Sequence, residues 1–247
     1  VSKRVSKPDC PEMLDRLAEF KAVLAHDGSV VKLSPVLKKM FPARRTTSMA
    51  AAARVHGTVD VVTRQVVRVV VTGDRDSELA VARTLPLEKN VLYMSDLGYL
   101  SYKYFAEINA SGAHLVSRLK SNSNPILVNV RHGIWAPVRT VRQGLGLNNS
   151  DLRFIKKDET FDLDARFDTA DSSVVLRVVG VYDWEIEAYH LYVTSLSPQD
   201  YSPEDIAQLY RLRWVIELLF KLLKSSCHLD HVDTSNPEAM RTHIFSS

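Results

Sequence analysis

A chain of 247 residues that is 45% hydrophobic and 25% charged has ordinary globular composition, with room for one large domain or two small ones. It has no run of 18 apolar residues, which excludes a helical membrane span, and its opening VSKRVSKPDC lacks the apolar centre of a signal peptide. A net charge of +3 and a pI near 8.8 are compatible with a nucleic-acid partner without demanding one.

In chain order, residues 1–20 read as helical around Pro11 to Phe20. Ala22 to Ala25 is a short apolar strand that runs into His26-Asp27-Gly28-Ser29. An Asp-Gly pair there reads either as a hairpin turn or as a carboxylate set at a buried strand end. Lys38 to Thr47 is a basic, Pro-containing loop, either solvated or facing phosphate. Val55, Gly57, Val59 and Val61 alternate with Arg54, His56, Thr58 and Asp60, the pattern of a half-buried strand. After a turn at Thr63-Arg64-Gln65, Val66 to Val71 is a strand and Asp74 to Arg83 a short helix. Val91 to Met94 is a buried strand that ends at Ser95-Asp96-Leu97-Gly98-Tyr99, where Gly98 allows a sharp turn. Tyr102 to Ala110 is a helix, and residues 112–120 are a strand that ends in Arg118 and Lys120.

From Ser121 to Tyr182 the strand–helix alternation gives way to short β-like runs, Ile126–Val130 and Val174–Val179, among polar residues. Charge is split there. Residues 118–157 hold eight Lys/Arg against one acidic residue, and 158–187 hold nine acidic residues against two Arg. The stretch reads as an inserted β-rich module outside the main sheet, whose basic portion tracks DNA or pairs with its own acidic portion. Trp135 in that portion fits a core, or a base-stacking contact. Ala188 to Ser195 is the last strand.

Ser202 to His228 then reads as one long helix, with Pro203, Glu204 and Asp205 in its first turn. Leu209, Leu212, Ile216, Leu219 and Leu223 form an apolar stripe, and Tyr210, Arg213, Glu217 and Lys224 a polar one, about 120° away at helical periodicity. Trp214, Val215, Leu218 and Leu222 fill much of the rest, which predicts a buried helix that carries its polar stripe into or beside a core. Taken alone, the stripe is satisfied by an i,i+4 Arg213–Glu217 pair with Lys224 reaching water.

The spacing Tyr210, two residues, Arg213, three residues, Glu217, six residues, Lys224 resembles the YREK signature of bacterial insertion-sequence transposases of the DDE type. Asp96-Leu97-Gly98-Tyr99 is similar to that family's DxGY motif, and Arg118-Leu119-Lys120 to its RLK. An Asp in a DGS-like context, here Asp27, precedes the family's histidine strand, here Arg54-Val55-His56-Gly57. The similarity runs from about Ala22 to His243. It implies an α/β fold: an RNase H-like mixed sheet with flanking helices and a β-rich insertion between the second and third catalytic carboxylates. The expected organisation is core over 1–120, insertion over 121–182, and the last strand and YREK helix over 183–247. The family usually carries a further DNA-binding region before this core. That region, the initiator Met and a recognisable tail are missing here, and the chain reads as a fragment.

The resemblance implies Asp27, Asp96 and Glu217 as catalytic metal ligands for Mg2+, with Mn2+ as substitute. It implies Tyr210, Arg213, Lys224, Lys120 and Arg118 as contacts to double-stranded DNA, and a homodimer in the synaptic complex. Three converging carboxylates repel unless a cation neutralises them, and hard oxygen ligands suit these ions. Asp60 is the rival first carboxylate, but alternation puts it on the polar face of its strand, with Arg54, His56 and Thr58.

The expected activity is metal-dependent DNA cleavage and strand transfer at insertion-sequence ends. A DNA-binding regulator derived from a transposase, and a structure-selective RNase H-like nuclease, are the alternatives. Tyr210 as a tyrosine-recombinase nucleophile lacks the Arg/His/Arg constellation that chemistry needs. Gly144-Leu145-Gly146 has no third Gly or following helix for a nucleotide loop. Cys227 to Asp233 lacks a partner ligand pair for zinc. Cys10 and Cys227 have no disulfide framework, in keeping with a reducing cytoplasm.

Overall fold

The computed structural model describes residues 11–99, 101–120, 122–132, 144, 146–147, 160–171 and 173–246. The chain forms two compact units, one of residues 1–23 and 87–212, the other of residues 24–86 and 213–247. These divisions differ from the expected ones near 120 and 182.

The second unit holds all but the first two residues of β1 (Ala22–Leu33), with β2 (Ala51–Asp60) and β3 (Gln65–Gly73). They form an antiparallel sheet in the order β3-β2-β1. β1 does not stop at Ala25. It runs through His26-Asp27-Gly28 for 12 residues, and Asp27 pairs with Gly57 of β2. No Asp-Gly hairpin forms, because β1 continues past Asp27 in unbroken register with β2, from Leu24↔Asp60 to Leu33↔Ala51. α2 (Glu78–Ala82) is shorter than the Asp74–Arg83 helix expected, and Ser77 caps it. Its opening residues serve a strand instead. Asp74 is buried and, with Glu78, pairs with Arg54 of β2. α5 (Trp214–Ser226), β10 (His231–Val232) and α6 (Pro237–Ser246) complete this unit, with β10 parallel to β1.

β2 is buried on both faces, where one solvated face was expected. One face carries Val55, Gly57 and Val59. A Cβ at Gly57 would lie 3.2 Å from the Phe220 ring and 3.3 Å from Ile216, so the glycine is what lets α5 press onto the sheet. The other face keeps its polar residues dry by pairing them, as buried polar groups require. His56 bonds Thr72 at 3.0 Å, and Thr58 bonds His26 of β1 at 2.9 Å. The rings of His26 and His56 stack 6.2 Å apart.

The first unit contains α1 (Pro11–Leu17), β4 (Val91–Ser95), α3 (Tyr102–Ala110), β5 (His114–Arg118), β6 (Ile126–His132), β7 (Phe161–Asp168), β8 (Ser173–Asp183), β9 (Ala188–Thr194) and α4 (Pro203–Leu212). Its mixed sheet runs β4-β5-β9-β8-β7-β6, parallel between β4 and β5 and antiparallel elsewhere. α3 packs on β5 and β8, and α4 on β5, β8 and β9. The expectation that 121–182 stands outside the main sheet is corrected here. β8 pairs with β9 over seven residues from Arg177↔Thr194 to Asp183↔Ala188, so β6 to β8 extend the sheet built on β4 and β5. Their alternating apolar residues form one buried face: Phe161, Leu163, Ala165 and Phe167 on β7, and Leu176 and Val178 on β8. Most of the basic portion, Trp135 included, lies outside the described residues.

A buried ion pair ties this extension to the approach to α4. Arg177 of β8 meets Asp162 of β7 in a two-pronged contact of 2.7 to 3.0 Å, and its Nη1 donates to the Tyr201 carbonyl at 2.7 Å.

The single helix expected over Ser202–His228 is two. α4 ends at Leu212 and α5 starts at Trp214, with Arg213 between them at φ −55°, ψ −24°. The backbone stays right-handed, but Ile216 N–H bonds the Arg213 carbonyl, a tightened i→i+3 turn. Nor is α5 buried on most sides. Ile216 and Phe220 face the sheet, whereas Trp214, Leu218 and Leu222 are 43%, 44% and 58% exposed. Apolar residues spread round most of a helix cannot all be covered when only one of its faces meets a sheet.

Candidate active site

β1 and β2 are antiparallel, so residues directly opposite share a face. Asp27 opposes Gly57 and therefore projects on the side where α5 lies. Arg213 and Glu217 meet it there. Arg213 Nη1 donates to Asp27 Oδ2 at 3.1 Å, and Arg213 Nη2 donates to Glu217 Oε1. The local i,i+4 pair is thus present, and it is half of a larger arrangement in which one guanidinium bridges carboxylates from a strand and a helix. The Arg213 side chain is 8% exposed, against 21% for Asp27 and 33% for Glu217. The cation is the most deeply set of the three.

Asp27 and Glu217 line a cavity of about 510 Å³ with Gly28, Ser29, Phe220, Lys221, Lys224, Ser225 and Asp230. Lys224, expected at phosphate, is therefore on the same opening as the two carboxylates. Lys221 was not singled out from the sequence. It stands four residues after Glu217 and three before Lys224, a helical spacing that would have found it. Ser29 lies on β1 two residues after Asp27, and Asp230 is brought in by the pairing of β10 with the end of β1, which has no short-range signal.

Asp60, the rival carboxylate, is an odd number of residues from Gly57 and projects from the opposite face of the sheet. Its Oδ1 accepts the Val62 N–H at 3.0 Å and caps the turn after β2.

In the first unit, Asp96 follows directly on β4, where the strand-end reading put it. A single 3-10 turn, Leu97–Tyr99, comes next, closed by Tyr99 N–H to the Asp96 carbonyl at 3.0 Å. Gly98 is not among the positive-φ glycines, so it supplies no left-handed turn here. Tyr210 of α4 is buried, and its hydroxyl donates to Asp96 Oδ1 at 2.8 Å. A residue expected at phosphate thus reaches an expected metal ligand. Arg118 donates to His190 Nδ1, and His190 Nε2 donates to Asp183 Oδ2 at 2.9 Å. Lys120 is exposed two residues beyond the end of β5.

Carboxylate oxygens on a half-exposed opening are the donor set hard divalent cations take. Among the described residues, no three His, Cys, Asp or Glu side chains are gathered at metal-ligating spacing. What the second unit assembles is a pair of carboxylates held together by Arg213. Asp27 and Glu217 fit a divalent cation by donor type and access.

Residues 18–247 match the family described as the transposase DDE domain. Over 71 residues, 29% of this chain, the sequence is 45% identical to the transposase for insertion sequence element IS421 from Escherichia coli, covering 19% of that protein. It is 20% identical over 262 residues to the transposase for insertion sequence element IS231F from Bacillus thuringiensis subsp. israelensis, covering 93% of this chain and 55% of that protein. It is 19% identical over 248 residues to the transposase for insertion sequence element IS1151 from Clostridium perfringens, covering 86% and 52%. The chain therefore spans 19% to 55% of the length of these relatives. A family match that begins just after α1 and takes in every later element makes this chain a member of the transposase DDE domain family.

Proposed function

We propose that the chain is the catalytic domain of an insertion-sequence transposase, built on an RNase H-like core, that cleaves DNA and joins strands by metal-dependent phosphoryl transfer. Asp27, Asp96 and Glu217 are its metal ligands. Tyr210, Arg213, Lys224, Lys120 and Arg118 bind double-stranded DNA, and two copies act together at paired ends. The observation that carries this reading is the meeting of Asp27 and Glu217 around Arg213 on one cavity with Lys224. Residues 186 positions apart in sequence are brought together with acidic and basic groups on one opening, the combination a phosphodiester needs.

A divalent cation held by the carboxylates supplies charge neutralisation at the phosphoryl oxygens and a lowered pKa for an attacking hydroxyl. The remaining work falls to side chains. Lys224 and Lys221 draw the phosphate backbone to the opening, a salt-dependent attraction. Tyr210 orients Asp96 through its hydrogen bond. Before metal and DNA are bound, Arg213 fixes Asp27 and Glu217 relative to each other.

Nicking of supercoiled DNA in Mg2+ tests the reading. Wild-type chain is expected to nick, and Glu217→Gln to lose cleavage while keeping its fold and DNA binding. Full cleavage by Glu217→Gln would remove Glu217 from the ligand set.

A further inference from the structure

Arg213 is buried, doubly bonded to acidic side chains, and set where a cation is needed. An arginine cannot answer a competing cation by losing its proton, because a guanidinium stays charged across the physiological pH range. Two facing carboxylates attract any positive charge, and a divalent ion placed between them stands against a guanidinium a few ångströms away. At that separation the repulsion between like charges is substantial in a partly buried site. The guanidinium and the metal therefore compete for the same oxygens, Oδ2 of Asp27 and Oε1 of Glu217. The cavity on which these carboxylates open is lined by Lys221, Lys224, Ser29 and Ser225, a setting for a polyanion.

We propose that Arg213 is the resident counter-ion of the Asp27–Glu217 pair, displaced when metal enters and captured by a DNA phosphate, so that metal and DNA bind cooperatively through it. This rests on the reading of Asp27 and Glu217 as metal ligands. Without DNA the guanidinium neutralises the pair and holds metal affinity down. A phosphate that bonds the guanidinium draws it off the carboxylates and leaves them free for metal. By linkage, metal raises DNA affinity by the same factor. The domain then loads metal on DNA rather than in its absence.

The test is Mn2+ binding to the full 247-residue chain, read from the electron paramagnetic resonance of free Mn2+, with and without a short random-sequence duplex. Arg213→Gln is expected to bind Mn2+ about fivefold or more tightly than the parent without DNA, at the lower end of ordinary coupling. The duplex is expected to tighten Mn2+ binding to the parent and to leave Arg213→Gln unchanged. Parent-like Mn2+ affinity in Arg213→Gln overturns the proposal, as does an equal effect of DNA on both proteins. If Arg213→Gln does not fold, Arg213→Lys decides. Its single ammonium cannot bridge both carboxylates as the planar fork does, so a smaller gain supports the proposal and no gain overturns it. Glu217→Gln separates the two levels of inference. Weakened Mn2+ binding there with no gain in the Arg213 variants sinks the counter-ion alone. Unchanged Mn2+ binding in Glu217→Gln sinks the metal-ligand reading, and the counter-ion with it.

Discussion

The hydroxyl of Tyr210 donates to Asp96 Oδ1 at 2.8 Å, joining the start of the YREK pattern to the aspartate that follows β4. The phenol ring is buried beside Tyr192, with ring centroids 5.3 Å apart, so its position is held by packing. A buried tyrosine aimed at a carboxylate orients one oxygen and leaves the other open. Tyr210→Phe keeps the ring and deletes the bond. Nicking is expected to fall by about 10- to 100-fold, the usual cost of losing a partner that orients a ligand, with little change in melting temperature. Nicking at the wild-type rate would show that the bond does not serve Asp96.

Asp27 and Asp60 can be told apart by metal preference. A thiolate is a softer ligand than a carboxylate and favours Mn2+ over Mg2+. Asp27→Cys is expected to lose nicking in Mg2+ and regain part of it in Mn2+. Asp60→Ala should keep most activity, because Asp60 only caps a turn on the other face of the sheet. An inactive Asp60→Ala beside an active Asp27→Ala would reverse the assignment.

The Arg177–Asp162 pair makes a prediction about stability. Both side chains are almost fully buried, and Arg177 also satisfies the Tyr201 carbonyl. Asp162→Ala leaves that guanidinium charged and dry, which costs about 3–5 kcal/mol in comparable pairs. Denaturant titration should register the loss. Replacing both residues with apolar ones of similar volume should recover much of it, and a single-variant loss under about 1 kcal/mol would contradict the burial argument.

His26 and His56 predict acid sensitivity. Burial, then the neighbouring His56 and Arg68, pushes His26 down to about 3, and burial with Arg54 pushes His56 down to about 4. The folded protein keeps both rings neutral at a pH where the unfolded chain protonates them, from about 6.5 downward. Their contribution to stability is therefore complete above pH 6.5 and is lost as pH falls toward 4 and then 3. The slope reaches at most about 1.4 kcal/mol per pH unit per histidine. Urea melts at pH 7.5 and 5.5 should show a lower midpoint at the acid value, and His56→Gln should flatten the difference. Equal midpoints for the wild type would rule out the dry histidine pair.

Much of this protein was legible in its sequence wherever the deciding physics is local. Local apolar patterning placed β4, α3, β5 and β9 close to where they lie. The helical spacing of Tyr210, Arg213, Glu217 and Lys224 led to the family, and alternation along β2 turned Asp60 away from Asp27. What the tertiary structure decided was non-local. Asp27 looked like a turn or a strand end because its neighbours in sequence are Gly28 and Ser29. It sits inside β1 because Gly57 pairs with it across the sheet. The polar face of β2 looked solvated because nothing in its own residues announces Thr72, Asp74 and Glu78 as partners. Residues 121–182 looked detached because a strand's sequence does not state which edge it joins, and β8 joins β9. The YREK stripe looked like one face of one helix. A guanidinium's reach to Asp27, and a tightened turn at Arg213, depend on groups that no helical periodicity contains.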